Sequence, residues 1–296
     1  MNKDTIKKWF ENHFTVSKKI GKSIPFFNEY YAQYPNHVCC TAHLPQNYKK
    51  NHHPHIALPF DNNQIVSIDE YLNASPMQIG CINYIATQGP RKNTFDAFWK
   101  MIWYEKCKVI VSVTNLFEGT KKNHIVKFDA FWPEAKKAQN FGQFRVESLK
   151  EEVSDRFTSQ HAQQLLIRHL KMTYENQEHN VVHLHLENWP DDGIVEAESL
   201  WELVQETDVW RKDKPVVVHC AAGIGRTGTF IATHSLYHDM LRAFNTMHVD
   251  EKKFNIPDAV YAMRKYRYGA MIAWEEQYLL VIETLELILK QLLKKV

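Results

Sequence analysis

The residues with the clearest chemical capacity lie in one stretch, 216–228, with the sequence VVVHCAAGIGRTG. Its three valines are typical of a buried strand, and the run that begins at Thr227 is typical of a helix. Between them, Gly223 and Gly225 permit the tight curvature that aims successive backbone N–H groups at one point. The N-terminus of the helix adds partial positive charge there. The stretch therefore predicts an anion-binding loop, formed by Ala221, Ala222, Gly223, Ile224, Gly225 and Arg226.

A cysteine and an arginine stand at the two ends of this loop. The loop amides, the helix end and Arg226 all favour the thiolate form of Cys220, so we expect a lowered pKa for this thiol. A thiolate that faces a bound phosphate is positioned to attack phosphorus. The planar guanidinium of Arg226 can bind two phosphate oxygens and stabilise the charge of the transition state. The pattern predicts phosphoryl transfer, against the alternative of a buried structural cysteine beside a glycine-rich turn.

Composition restricts the classes of protein that remain. The chain has 296 residues, 44% of them apolar, and a formal net charge of +2. This near balance gives no reason to expect bulk binding to nucleic acid or to a membrane surface. Five cysteines without a C-x-x-C pair indicate neither a disulfide framework nor a zinc site, and they favour a reducing compartment. With a polar N-terminus and no membrane-spanning run, we expect a cytoplasmic protein.

The elements that must position the loop follow from hydrophobic periodicity. Short β-branched runs predict buried strands over 109–113, 181–184 and 215–218, and residues 159–166 suit a strand or the start of a helix. Helical spacing predicts helices over 4–14, 27–34, 199–212, 227–244, 258–266 and 274–290. Strands mixed with helices indicate an α/β or α+β sheet domain with helices on both faces.

The loop sequence HCAAGIGRTG resembles the signature HCSAGxGR[ST]G of tyrosine-specific protein phosphatases, with Ala221 in place of the usual Ser. Further resemblances to motifs of this family follow in order: EYLNAS at 70–75, YIATQGP at 84–90, TFDAFWKMIW at 94–103, FWP at 131–133 and NWPDDG at 188–193. The resemblance implies one catalytic domain over 25–296, with a highly twisted mixed β-sheet flanked by helices. Residues 1–24 are then a helical N-terminal extension.

The resemblance also implies a role for each site residue. Cys220 is the nucleophile that forms a phosphocysteine, and Arg226 binds the phosphate. Asp191 first protonates the leaving oxygen and then activates water. Neither a metal nor a cofactor is implied. The implied supporting residues are His219, Thr227, Glu118, Lys127, Trp189 and Gln277. A structural role for His219, and surface salt bridges for Glu118 and Lys127, remain alternatives.

The chain departs from the family pattern around the substrate. Residues 50–55, KNHHPH, stand where the family has KNRY, so His53 replaces the tyrosine that lines the pocket, and His55 replaces an Asp or Asn. The three histidines suit a solvated turn better than a metal site. Asp192 follows the general acid, and this second carboxylate is expected to raise the pKa of Asp191.

A further departure lies near the C-terminus. Residues 271–278, MIAWEEQY, resemble the family's MVQTxxQY, so that Gln277 matches the second glutamine and Ala273 replaces the first. In the family the first glutamine positions the water that hydrolyses phosphocysteine. We therefore expect normal phosphate capture with slowed hydrolysis of the intermediate, unless Gln277 or a shifted loop substitutes.

Three functions remain open at this stage. The first is hydrolysis of phosphotyrosine on proteins by a monomer. The second is a phosphotyrosine-binding module with little turnover. The third is hydrolysis of a non-protein phosphate, such as a phosphoinositide or an RNA 5′-phosphate, with Lys49, Lys50, Lys121 and Lys122 as a basic rim. The short domain also resembles the phosphatases of polydnaviruses, which would place it in the host-cell cytoplasm. A low-pKa thiolate is also open to reversible oxidation.

Overall fold

The computed structural model describes residues 1–21, 38–120, 123–155, 163–190, 193–250 and 254–294. The helices are α1 Lys3–Ile20, α2 Cys40–His43, α3 Pro45–Tyr48, α4 Phe95–Tyr104, α5 Ala197–Trp210, α6 Gly225–Thr246, α7 Ile256–Arg264 and α8 Glu275–Lys294. The strands are β1 Leu58–Pro59, β2 Ala74–Ile79, β3 Ile82–Thr87, β4 Val109–Ser112, β5 Phe117–Thr120, β6 Asn123–Val126, β7 Ala138–Phe141, β8 Phe144–Val153, β9 Leu165–Tyr174, β10 Gln177–Leu186, β11 Val216–His219 and β12 Arg267–Tyr268. The helix predicted over 27–34 lies outside the described residues.

Eight strands form one mixed sheet in the order β2-β3-β11-β4-β10-β9-β8-β7. The four strands β3, β11, β4 and β10 run parallel, and the outer pairs are antiparallel. Strand β11 lies between β3 and β4 near the centre of the sheet. Because parallel strands end at the same edge of a sheet, ligands commonly bind at their carboxyl ends. The segments that follow β3, β4 and β11 therefore meet there.

Alternating side chains of β11 supply both hydrophobic layers. Val216 and Val218 belong to the cluster that includes side chains of α1 and α5–α8, while Val217 belongs to the cluster that includes α4. This alternation is the two-residue period of a strand with both faces covered. The prediction of an α+β domain with a mixed sheet flanked by helices is confirmed.

Helix α1 packs into the larger of these two clusters. It runs from Lys3 to Ile20, longer than the predicted 4–14, and the Asn2 side chain caps it by accepting from the Thr5 amide. The side chains of Ile6, Phe10 and Phe14 are at most 1% exposed. Its apolar stripe is therefore covered by the domain. The boundary predicted after residue 24 lies outside the described residues and stays a prediction.

Candidate active site

The anion-binding loop connects β11 to α6 at the carboxyl edge of the parallel strands. Gly223 has a φ of +73°, and a Cβ at this position would lie 2.2 Å from the carbonyl oxygen of Thr87 at the end of β3. Only glycine meets both conditions without strain. The amide of Gly89 donates to the carbonyl of Ala221 at 2.9 Å. The loop is thus seated directly on the segment that follows β3.

A buried arginine fastens the outer side of the loop. Arg267 is fully buried, and its guanidinium donates to the carbonyl oxygens of Ala222 and Gly223, both at 3.0 Å. It also donates to Asn73 Oδ1 at 2.6 Å and to Ser75 Oγ at 3.2 Å. In a planar trans peptide the next N–H points opposite to the carbonyl. Arg267 therefore directs the loop amides towards the anion side.

Cys220 lies at the start of this loop and is 4% exposed. Its Sγ accepts from the Gly223 amide at 3.3 Å. Burial acts to raise the pKa of this thiol, but the charge of Arg226 and hydrogen bonds from Thr227 and the Ile224 amide outweigh it and lower the pKa. A thiolate surrounded by N–H donors and a guanidinium is an activated nucleophile.

Arg226 connects three of the residues that the resemblance singles out. Its Nη1 donates to Glu118 Oε1 at 2.8 Å and to the carbonyl oxygen of Trp189 at 2.7 Å. The other oxygen of Glu118 lies 3.3 Å from Lys127 Nζ, and Thr114 Oγ1 donates to Oε1 at 3.2 Å. One carboxylate thus orients two cations beside the loop, in a setting where both side chains of the ion pair are largely buried.

Trp189 anchors the segment that carries the general acid of the resemblance. Its side chain is fully buried, and the indole Nε1 donates to the Gly193 carbonyl at 3.2 Å. The Gly193 amide in turn donates to the Pro190 carbonyl at 3.4 Å. The structure therefore places Trp189 next to Arg226 and joins Gly193 to Trp189. Asp191 and Asp192 themselves lie outside the described residues.

His219 is fully buried, and both of its ring nitrogens have polar contacts. Its Nε2 lies 2.5 Å from Ser112 Oγ, which also contacts His183 Nε2 at 2.7 Å, and its Nδ1 lies 3.2 Å from the Cys220 carbonyl oxygen. Burial lowers the pKa of His219 to about 4, although the Cys220 carbonyl acts to raise it. The imidazole is therefore neutral at neutral pH, and it fixes the backbone beside Cys220.

The turn at residues 50–55 is held from inside by two amide side chains, Asn51 and Gln88. Asn51 Oδ1 accepts from Tyr71 Oη at 2.6 Å and from Asn73 Nδ2 at 2.8 Å. Gln88 donates from Nε2 to the Lys50 carbonyl at 2.7 Å and accepts through Oε1 from the His52 amide at 2.8 Å. The two histidines of the prediction follow this support: His53 is half-buried and stacks on His52 at 5.8 Å, while His55 is exposed and contacts Tyr48 Oη at 3.1 Å.

Gln277 lies against the loop, whereas the side chain of Ala273, four residues earlier, is only a methyl group. Gln277 is 2% exposed, and a Cβ on Gly225 would lie 2.9 Å from its Oε1. That oxygen accepts from the Ala273 amide at 3.0 Å. Within the described part of the chain, the Nε2 of Gln277 has no hydrogen-bond acceptor. The carboxamide can therefore still donate to a water in the site.

Two functional residues were missed by the sequence reasoning. Arg267 belongs to no motif, and nothing in its neighbourhood signals contact with a loop more than forty positions away. Ser112 is the last residue of a plain apolar strand. A role for Asn73 could have been predicted, because Asn73 stands in the motif-like stretch EYLNAS.

The fold and this geometry agree with comparisons against known proteins. The family model described as "Protein-tyrosine phosphatase" matches residues 47–286. The chain therefore belongs to the protein-tyrosine phosphatase family, and the resemblance drawn from the motifs is confirmed.

Three relatives illustrate the similarity. "Tyrosine-protein phosphatase 2" of Dictyostelium discoideum is 34% identical over 241 residues, which are 77% of this chain and 58% of that protein. "Receptor-type tyrosine-protein phosphatase V" of Rattus norvegicus is 30% identical over 284 residues, 91% of this chain and 15% of that protein. "Tyrosine-protein phosphatase 99A" of Drosophila melanogaster is 29% identical over 268 residues, 83% of this chain and 19% of that protein. The chain thus spans from 15% to 58% of the length of these relatives.

Proposed function

We propose that this protein hydrolyses phosphotyrosine on proteins through a phosphocysteine intermediate. The observation that carries the proposal is the lowered pKa of Cys220, in a loop that Arg267 holds with its amides turned towards one anion site. Membership of the family and the tyrosine phosphatase names of its relatives support the same substrate class.

The proposed reaction has two steps. In the first, the Cys220 thiolate attacks phosphorus, the bond to the tyrosyl oxygen breaks, and Asp191 donates its proton to that oxygen. Arg226 and the loop amides stabilise the charge on the equatorial oxygens. In the second, Asp191 removes a proton from water, the water oxygen attacks phosphorus, and the thiolate leaves with help from the Thr227 hydroxyl. Side chains and loop amides of the chain itself carry out these tasks.

The second step is proposed to be the slow one. The Ala273 side chain is a methyl group and offers no hydrogen bond to the attacking water. The Oε1 of Gln277 already accepts from the Ala273 amide, so Gln277 offers the water chiefly its Nε2 donor. Capture of phosphate does not depend on either residue. The intermediate is therefore expected to accumulate.

Rapid-mixing kinetics with p-nitrophenyl phosphate and with a phosphotyrosyl peptide test the proposal. We expect a burst of product close to one per enzyme, followed by slower turnover. Cys220→Ser should abolish both phases, whereas Cys107→Ser, which changes another buried thiol outside the site, should retain them. Activity that survives Cys220→Ser would refute the enzyme, and monophasic turnover without a burst would refute the slow second step.

Restoring the missing amide separates the two parts of the proposal. Ala273→Gln should raise the steady-state rate and shrink the burst, while Gln277→Ala should lower the steady-state rate and leave the burst intact. If Ala273→Gln changes neither phase, water positioning does not limit turnover. Capture of a phosphotyrosyl peptide without any release of phosphate would favour the binding module instead.

A non-protein phosphate is the second candidate, and the observation behind it is His53 where the family places a tyrosine. The basic rim gives limited support to a non-protein substrate, because Lys50 already has partners: its Nζ lies 3.6 Å from Glu70 and donates to the Tyr71 carbonyl. A phosphoinositide and a 5′-phosphorylated RNA, assayed beside the peptide, decide this question. A higher kcat/KM for either would overturn the choice of substrate class.

The setting of the reaction is proposed to be a reducing cytoplasm, where the protein acts as a monomer on tyrosine-phosphorylated proteins; for a viral chain this would be the host cell. All five cysteines are free thiols, two of them buried. This usage fits a reducing compartment. None of the described helices is both long and apolar enough to span a membrane.

A further inference from the structure

Three side chains that the phosphatase reaction does not use converge between two helices. Asp208 comes from the last turn of α5, and His234 and His238 lie one turn apart on α6. One ligand atom from each lies within 4.8 Å of the others. Asp208 Oδ1 lies 3.2 Å from His234 Nε2 and 2.9 Å from His238 Nε2. Two ring nitrogens and a carboxylate thus face one point.

Hydrogen bonds from neighbouring side chains hold His234 and Asp208 in fixed orientations, as is usual for metal ligands. Tyr84 Oη lies 2.8 Å from His234 Nδ1 and so turns Nε2 towards Asp208. Arg211 Nε donates to Asp208 Oδ1 at 2.7 Å. A hydrogen bond to the far side of a ligand, such as the one between Tyr84 and His234, fixes the orientation of that ligand in known metal sites.

We propose that Asp208, His234 and His238 bind a Zn²⁺ ion, with water as the fourth ligand. Zinc accepts imidazole nitrogens and carboxylate oxygens in tetrahedral sites with bonds of about 2.0–2.2 Å. Ligand atoms in such a site stand about 3.4 Å apart. The nitrogen–oxygen distances of 3.2 and 2.9 Å therefore need to open by only a few tenths of an ångström.

The access route fits the same ion. The side chains of Asp208 and His238 are 24% and 14% exposed, which gives the ion a path from solvent.

The site is separate from the catalytic loop. His234 follows Arg226 by eight residues on α6, which is about 12 Å along the helix axis. A bound ion would join the end of α5 to the middle of α6, the helix that begins in the anion-binding loop. Its effect is therefore structural: it holds the two helices together and raises the thermal stability of the folded chain.

Metal titration of the full chain tests the proposal. The titration uses Cys220→Ser, because the catalytic thiolate would bind zinc itself, and Co²⁺ as a visible probe of geometry. We expect one equivalent of Co²⁺ with the strong visible absorption of a tetrahedral site, displaced by Zn²⁺, and a Zn²⁺-dependent rise in Tm. In that background, Asp208→Asn and His238→Gln should each weaken binding more than about 100-fold, beyond the about 10–100-fold cost of losing an outer partner. His248→Gln, which removes an exposed histidine, should change neither quantity.

Unchanged Co²⁺ affinity in Asp208→Asn and His238→Gln would overturn the proposal, as would loss of binding in His248→Gln. Far-ultraviolet circular dichroism without metal shows whether the variants fold. If the variants do not fold, the test uses the Cys220→Ser chain alone, which keeps Asp208, His234 and His238, and measures its Co²⁺ spectrum and its Tm. A weak, octahedral type of Co²⁺ spectrum, or no shift of Tm at saturating Zn²⁺, would then refute the site.

Discussion

Replacement of Arg267 by methionine should separate the folding of this protein from its ability to bind an anion. The guanidinium donates four hydrogen bonds, to two carbonyls of the anion-binding loop and to the side chains of Asn73 and Ser75. Methionine fills a similar volume and donates none of them. Without the guanidinium, the peptide units after Ala222 and Gly223 lose the contacts that hold their carbonyls away from the site.

The size of the effect follows from these contacts. A hydrogen bond with a charged partner contributes about 1.5–3 kcal/mol, so four would contribute at least about 6 kcal/mol. These acceptors are neutral, so methionine leaves them unpaired but also removes the cost of burying a charge, which offsets part of this sum. We expect a net loss of about 3–5 kcal/mol in the free energy of unfolding. Misdirection of one loop amide costs about 100–1000-fold in kcat.

Urea unfolding, kcat/KM on p-nitrophenyl phosphate and inhibition by vanadate measure the two effects. Arg264→Met is the matched control, because Arg264 is also fully buried and donates to the carbonyls of Met271 and Ile272, which lie outside the loop. It should lose comparable stability and keep its affinity for vanadate within about threefold. The reasoning is refuted if Arg267→Met binds vanadate as tightly as the unsubstituted protein does, or if both variants lose vanadate affinity equally.

Three further predictions follow from burial and charge. Because the pKa of the Cys220 thiol is lowered, its alkylation by iodoacetamide should reach half its maximal rate below pH 9.0. Burial raises the pKa of the Cys107 thiol, which should therefore remain unreactive. Equal alkylation rates for the two thiols would contradict this prediction. Phe10→Ala should reduce the free energy of unfolding by about 3–5 kcal/mol in urea, and a loss under 1 kcal/mol would show that α1 is dispensable to the core. The third prediction concerns buried histidines that stay neutral in the folded chain and whose pKa values are lowered chiefly by burial; this group includes His183, His185, His219 and His234. Because the unfolded chain takes up their protons below pH 6.5, stability is complete above that pH and falls as the pH falls towards 4, by roughly 1 kcal/mol per histidine and pH unit. Urea unfolding at pH 7 and pH 5.5 should therefore differ by at least about 4 kcal/mol, and equal values would count against it.

The parts of the fold that follow local rules were predictable. Strands β4 and β11 are short β-branched runs, and the helices show their apolar spacing directly. Strand β8 was not predicted, because its sequence FRVESLKEEV carries charges on both sides of the alternation. It forms because β7 and β9 pair with it on either side. Pairing between distant segments is a tertiary effect that no local window contains.

The site residues also divide into those that a local sequence pattern predicts and those that only distant contacts bring into place. Cys220 and Arg226 share one loop, so their types and spacing were enough to predict an anion site. Glu118 was reached only through the resemblance, and its contact with Arg226 spans 108 positions. Arg267 left no local sign, since a buried arginine and an exposed one look alike in a sequence. Its function depends on which carbonyls the fold brings within reach.

The fastening of the anion-binding loop also has a consequence for the order of folding. Arg267 contacts Asn73 across 194 positions, and the loop between them rests on the segment after β3. Closing such distant contacts is the slow, entropically costly part of folding. Helices and the β8–β10 meander can form from segments that are close in sequence. The anion-binding loop acquires its shape only after the segments that carry Asn73 and Arg267 have come into contact. Enzymatic activity should therefore return last during refolding, and a ribosome-bound chain should remain inactive until Arg267 has left the exit tunnel.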